Sequence, residues 1–294
     1  YIYMKITYGT TDKSIDVTKI CIEKLMRNGI IVIPDVDTVR DSYFTDPLYG
    51  VHKKIFIELN DDITEYADNI KIKINPVTNA ITTDINPIHK VHSKIKLNHG
   101  YMWQELPEQQ MVINNFSGHE KVLEIGGNVG RNSLVIASIL KDQKNLVVLE
   151  SGPEFALQLR ENRDLNNFNF HIEGSALSNR KLIQKAWETK PSEVLEPGFS
   201  WVNTISLDNL KKKYNIEFDT LVLDCEGAFY YILMDMPEIL NNVNLMIMEN
   251  DYMDITHKKY IDEIFEKNNF RVDYSEAGGL GPCEHKFYEV WKRI

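Results

Sequence analysis

The chain has little cysteine and no cysteine pair: Cys21, Cys225 and Cys283 are scattered through 294 residues without a Cys-x-x-Cys. Such a set supplies neither a disulfide framework nor a zinc ribbon, and it reads as free thiols in a reducing compartment. Long apolar runs are also missing. No stretch approaches the roughly 20 residues of a membrane span, and the start shows no signal-peptide core, so a cytoplasmic protein is expected. Positive charge is in deficit. A formal net charge of −10 argues against a bulk nucleic-acid or anionic-membrane binder. Repeats and low-complexity tracts are absent, and 43% hydrophobic with 26% charged residues is the composition of a folded globular protein.

Two halves follow different patterns. Residues 1–100 read as a small, mixed, β-rich accessory domain. "IDVTKICIEKLMRNG" places Val17, Ile20, Cys21 and Leu25 at helical spacing, with Gly29 as the expected stop. The runs "IIVIP", "KKIFIEL", "NIKIKI" and "AITTDI" are β-like and separated by turn residues. The alternation from Lys71 to Ile74 predicts a strand with one wet face.

From residue 101 to residue 294 apolar strands alternate with helices. The strand candidates are "KVLEIGG", "NLVVLES", "FNFHIEGSAL", "FDTLVLDCEG", "NLMIMEND", "FRVDYSEA" and "KFYEVWKR". That rhythm predicts an α/β fold, a mainly parallel sheet covered on both faces, with an antiparallel last strand. Residues 180–203 break the rhythm and read as an insertion or long crossover.

Ligands of open α/β sheets bind outside the carboxyl ends of the strands. Four acids fall at such ends: Glu124, Glu150, Asp224 and Glu226. Gly126, Gly127 and Gly130 follow the first of them and would let the backbone approach a ligand closely. A P-loop is excluded because no Gly-Lys-Ser/Thr occurs, and the dinucleotide pattern GxGxxG fails at Asn128. What remains is E-x-G-x-x-x-G with Glu150 ending the next strand, where a carboxylate can accept hydrogen bonds from both hydroxyls of a ribose diol.

The blocks "EIGGNVGRNS", "LESGPEFALQLRENRDLNNF", "GSALS", "TISLDNL" and "LVLDCEGAFYYIL", in that order, resemble the FkbM-type family of class I S-adenosylmethionine-dependent methyltransferases over about residues 104–292. The Asp-x-Glu-Gly after a Leu-Asp helix is the most family-specific element. Departures are Glu124 for a usual Asp, Gly127 for a usual Ala, and Cys225 between the acids. The resemblance implies a Rossmann-like sheet and S-adenosyl-L-methionine as cofactor. Glu124 would face the methionine amino group, Gly126, Asn128 and Gly130 would shape the adjoining wall, Glu150 would hold the ribose, and Ser175 and Ala176 would lie near the adenine. Asp224 would sit near the transferring methyl, with Glu226 and Glu249 orienting the acceptor.

The resemblance further implies O-methylation of a sugar or glycan hydroxyl. Trp103, Trp187, Trp201 and the tyrosines near Asp224 are candidates to stack on sugar faces. The alternatives are an O- or N-methyltransferase of a small metabolite, or a noncatalytic scaffold that binds the cofactor. Asp224 is the candidate base, with a histidine such as His285 or a water as its substitute. Several residues also have structural explanations. Acids favour a helix N-terminus, Lys211–Lys213 suit a solvated helix face, and Phe229 suits a core. Cys225 reads as a small hydrophobe. His89, His92 and His99 read as a loop, and no metal site is assigned. The first domain is assigned acceptor binding or self-association.

Overall fold

Period-two patterning in the residues up to Ser93 builds two four-stranded antiparallel sheets. This computed structural model describes residues 4–35, 37–186 and 188–294, and the chain divides into a unit ending at Ser93 and a unit from Lys94 to Ile294. In the first unit one sheet runs Ser14–Asp16, Met4–Gly9, Lys54–Leu59, Asp62–Tyr66 and the other Met26–Arg27, Ile30–Ile33, Ile70–Ile74, Ile81–Ile85. Ile72 and Ile74 are buried while Lys71 and Lys73 face water, so the alternation does set which face is wet. One cluster of Ile6, Tyr8, Ile31, Ile33, Ile55 and Ile57, with Val17, Cys21 and Phe44, joins both sheets to their helices.

The first helix stops at Lys24, ahead of Gly29. Asn28 and Gly29, both left-handed with φ of 50° and 77°, instead form the turn of a short hairpin between Met26–Arg27 and Ile30–Ile33. Two adjacent left-handed residues match the right-handed twist of paired strands. His89 and His92 lie on a short helix, Pro87–His92, and not in a loop.

In the second unit the strands are β1 (Val122–Ile125), β2 (Leu146–Leu149), β3 (His171–Glu173), β4 (Thr220–Leu223), β5 (Leu245–Glu249), β6 (Phe270–Glu276) and β7 (Tyr288–Arg293). Their order in the sheet is β3-β2-β1-β4-β5-β7-β6. β3, β2, β1, β4 and β5 are parallel, and β7 runs antiparallel to both β5 and β6. Every residue of β1, β2 and β4 is buried, which is why these strands read as continuous apolar runs and not as alternations. The helices are α1 (Leu106–Asn115), α2 (Arg131–Ile139), α3 (Pro153–Leu165), α4 (Leu207–Tyr214), α5 (Phe229–Asp235) and α6 (Ile255–Lys267). Leu123, Leu221 and Met246 of the sheet meet Phe229 of α5 and Phe265 of α6 in the main core.

The interruption at residues 180–203 is a three-stranded antiparallel sheet of Leu182–Lys185, Glu188–Pro191 and Ser200–Val202. Trp187 lies outside the described residues. Residues 94–100, assigned from sequence to the first domain, run with the second unit. Lys96 N donates to Asn166 Oδ1 at 2.8 Å, Asn98 N donates to Asn162 Oδ1 at 2.8 Å, and Asn162 Nδ2 donates to the carbonyls of His99 and Val129. Among the described residues no helix is long and apolar enough to cross a membrane.

Candidate active site

The strand order reverses at β1, which has β2 on one side and β4 on the other. A crevice therefore opens where the loops after these strands part in opposite directions. A cavity of about 290 Å³ sits there. Gly126 leaves β1 with φ 96°, and a Cβ on it would stand 1.6 Å from the Asp224 carbonyl oxygen. Only glycine allows the β1 turn and the end of β4 to touch in this way. Gly126 N and Gly127 N both donate to Leu149 O at 3.0 Å, tying the same turn to β2.

Glu150 follows β2 and is buried at the cavity edge. Its Oε2 accepts from Asn128 N and its Oε1 from Gly152 N, each at 2.7 Å. Two amides thus fix the carboxylate while each oxygen keeps a lone pair for a ligand. Burial pushes this carboxyl above its ordinary range. Ser175 and Ala176, just after β3, border the cavity beyond Glu150, and Ser175 Oγ donates to Glu173 Oε1 at 2.9 Å. Glu173 also binds Lys213 Nζ at 2.6 Å, so Lys213 is an ion-pair partner and not simply a solvated lysine.

Asp224, Glu226 and Glu249 border the opposite side of the same cavity. The Asp224 carboxyl is pushed well above the usual range by burial, then by the charges of Glu105, Glu108, Glu226 and Asp251. Glu249 rises to about 11 through burial, its carboxyl contact with Glu108 and the charge of Asp224. Glu226 is exposed, and its hydrogen bond to Asp251, ahead of burial, raises it to about 7. Glu226 and Gly227 are both left-handed, at φ 51° and 77°, and form the turn that leads from Asp224 into α5. Cys225 is half-buried against the core and burial pushes its thiol up to about 12, which suits packing and not nucleophilic attack.

Two of the residues expected from sequence on the cofactor side, Glu124 and Gly130, do not border the cavity. Glu124, inside β1, is 2% exposed, and its Oε2 has no hydrogen-bond partner. Burial, with the charges of Glu105 and Asp224, raises it to about 8. Gly130 is the left-handed N-cap of α2, where a Cβ would meet Leu159 Cδ1 at 2.3 Å; it seats helix α3 against the loop. Trp103 and Trp201 are exposed and outside the lining, as is His285. Tyr231 does line it and lies under the guanidinium of Arg180, 5.7 Å from the ring centre. Tyr230 stacks instead on His257 at 3.8 Å, and Phe229 is core.

The sequence reading missed several lining residues. Leu182, Gln184, Thr189 and Pro191 come from the inserted sheet, and Arg180 is held by Asp235 through two hydrogen bonds of 2.5 Å. Glu105, the left-handed residue before α1, lines the cavity and pairs with Arg131. For Glu105 the sequence shows only a glutamate directly before Leu-Pro, and its left-handed backbone is visible in the structure alone. The insertion carried none beyond its break in rhythm.

No model of a known protein family matches the chain, and no curated protein matches it. Among solved structures it is similar to a ribosomal protein L11 methylase from Lactobacillus delbrueckii subsp. bulgaricus, at 14% identity over 67% of this chain and 81% of that one, with a TM-score of 0.42. It is also similar to an O-methyltransferase from Bacillus cereus in complex with SAH, at 14% identity over 70% of this chain and 90% of that one, TM-score 0.40. A protein of the NADB-Rossmann superfamily from Streptococcus agalactiae is similar at 14% identity over 63% of this chain and 67% of that one, TM-score 0.41.

Proposed function

We propose that the second unit binds S-adenosyl-L-methionine and methylates a hydroxyl of a neutral saccharide, as an enzyme of the FkbM type. The observation that carries this reading is the division of one cavity at the sheet's switch point. Gly126, Asn128, Glu150, Ser175 and Ala176 form one side, and Asp224, Glu226 and Glu249 form the other. The residues fit the cofactor: Glu150 presents a fixed carboxylate suited to a diol, and Glu124, behind the cavity wall, has a buried, unpartnered oxygen that would meet the ammonium group through water. When bound, the cofactor supplies a methyl group already activated on a sulfonium.

The chain's own work is alignment and exclusion of water, which together account for much of the barrier lowering in such a displacement. Gly126 and Asn128 shape the wall on the cofactor side. Glu226 and Glu249 orient the acceptor hydroxyl, and Asp224 takes its proton. Among the described lining residues the one basic side chain, Arg180, is already bound to Asp235, which leaves the protein's own lining acidic and favours an acceptor without phosphate. A small metabolite is the second reading, favoured by the absence of Trp103 and Trp201 from the lining.

Calorimetry with S-adenosylhomocysteine tests the cofactor, with Glu150→Ala expected to weaken binding about 100-fold through loss of a charge-assisted, buried contact. Unchanged affinity in that variant removes the assignment. Isotope-labelled methyl transfer to panels of nucleotide sugars, oligosaccharides, metabolites and RNA tests the acceptor. Label on a saccharide oxygen supports the first reading and label confined to a metabolite the second. Cofactor binding without turnover of any acceptor makes the protein a scaffold.

A further inference from the structure

Helix α1 brings to the edge of the sheet an acid that its position in the sequence does not advertise. Glu108 stands in the first turn of that helix, is 4% exposed, and has an oxygen, Oε2, that is buried with no hydrogen-bond partner. Oxygens of Glu108, Asp224 and Glu249 all lie within 4.8 Å of one another. The usual explanation for an acid in a first helical turn is attraction to the exposed amides there. That attraction does not account for Glu108 Oε2, which is buried and accepts no hydrogen bond.

Among the described residues no lysine, arginine or histidine pairs with any of these three carboxyls. Arg131 pairs with Glu105, Arg180 with Asp235, and Lys258 with Glu289 and Asp262. Three converging carboxyls without a cation must either hold protons or hold an ion. Two oxygens can share one ion only when they are no farther apart than about twice the metal–oxygen distance. That limit is about 4.1 Å for magnesium and about 4.6–5.2 Å for calcium. Oxygens within 4.8 Å of one another reach a common calcium, magnesium or manganese ion with side-chain adjustments of under about 1 Å. An all-oxygen donor set without histidine or cysteine selects hard ions.

We infer that Glu108, Asp224 and Glu249 together hold a hard divalent cation of the magnesium, manganese or calcium class at the acceptor side of the cavity. Three protein oxygens leave about half of a six-coordinate shell open, and Asp224 and Glu249 place that open half in the cavity. A cation there draws a hydroxyl oxygen into its shell and lowers the hydroxyl's pKa. That use of the ion rests on the methyl-transfer reading; the binding of the ion does not.

The test is made on the full chain stripped with chelator and without cofactor. Magnesium, manganese and calcium chlorides are titrated separately by calorimetry, and free manganese is followed by its electron paramagnetic resonance signal. One saturable site per chain is expected for at least one of the three ions. Glu108→Gln is expected to weaken that site about ten-fold or more through loss of one ligand charge, while S-adenosylhomocysteine binding persists and shows that the variant is folded. If Glu108→Gln does not fold, Glu249→Gln is measured in the same way. Absence of a saturable site for all three ions, or wild-type ion affinity in the folded variant, overturns the inference and leaves three carboxyls that share protons. Loss of S-adenosylhomocysteine binding by the wild-type protein with the ion site intact instead refutes the methyl-transfer reading alone.

Discussion

Replacing Glu124 by glutamine should make the protein more stable and its cofactor site worse. Glu124 sits in the middle of the sheet, with Val148 of β2 and Val222 of β4 as register partners. It is held at about 8 against an ordinary 4.5, chiefly by burial and then by Glu105 and Asp224. The unfolded chain releases this proton near 4.5, whereas the folded chain keeps it until about 8. Between those values the unfolded state binds fewer protons, so stability falls as pH rises. A shift of about 3.5 units at about 1.4 kcal/mol each sets an upper limit of about 5 kcal/mol for the loss. Glutamine has nearly the same shape and does not titrate. The variant should match wild type near pH 5 and exceed it near pH 8 by an amount on the order of 10 °C in midpoint. All four tryptophans, Trp103, Trp187, Trp201 and Trp291, belong to the second unit. Thermal unfolding followed by their fluorescence therefore reports that unit by itself. The same substitution removes a carboxyl that can give up its proton to meet an ammonium group, so S-adenosylhomocysteine affinity should fall about ten-fold or more. A stability difference that does not change between pH 5 and pH 8 would refute the argument about the buried acid.

Gly126→Ala should cost upward of about 3 kcal/mol because its Cβ collides with backbone, while Gly29→Ala, which meets nothing within 4 Å, should cost only the backbone strain of about 1–2 kcal/mol; denaturant melts followed by far-ultraviolet dichroism separate the two. Lys258→Met should destabilise the second unit by about 3–5 kcal/mol, since Glu289, 1% exposed, would be left as an unpaired buried charge. Pairing that change with Glu289→Leu should recover most of the loss in the same fluorescence assay. A chain beginning at Lys94 should keep its cofactor affinity in calorimetry, whereas one beginning at Tyr101 should be less stable. The later start deletes the backbone groups of Lys96, Asn98 and His99 that Asn162 and Asn166 bind.

Local chemistry made much of this protein readable from its residues alone. Continuous apolar runs give β1, β2 and β4 because a strand buried on both faces has no polar positions to alternate with. Gly126 is legible because its backbone conformation and the contact with Asp224 both exclude a side chain. Glu150 is legible because it is a charged residue at the end of an apolar strand. Those features depend on the residue and its immediate neighbours.

What the tertiary structure decided depends on which distant residues meet. Glu108 in α1 approaches Asp224 and Glu249 only after the helix packs beside β5, so no spacing in the sequence marks the cluster. The inserted sheet walls the cavity because of where it folds back, and its residues carry no pattern that says so. Asn162 looks like one polar position on the face of α3 and proves to be the clamp that joins residues 98–99 to the glycine-rich turn. Trp103 and Trp201, read as sugar platforms, do not line the cavity, since an aromatic side chain looks the same in sequence whether it faces a ligand, a core or water. Residue type is a local property, whereas convergence on a site is set by long-range packing. The acids at the strand ends and their shared sheet edge were therefore visible in the sequence, and the approach of Glu108 to Asp224 and Glu249 was not.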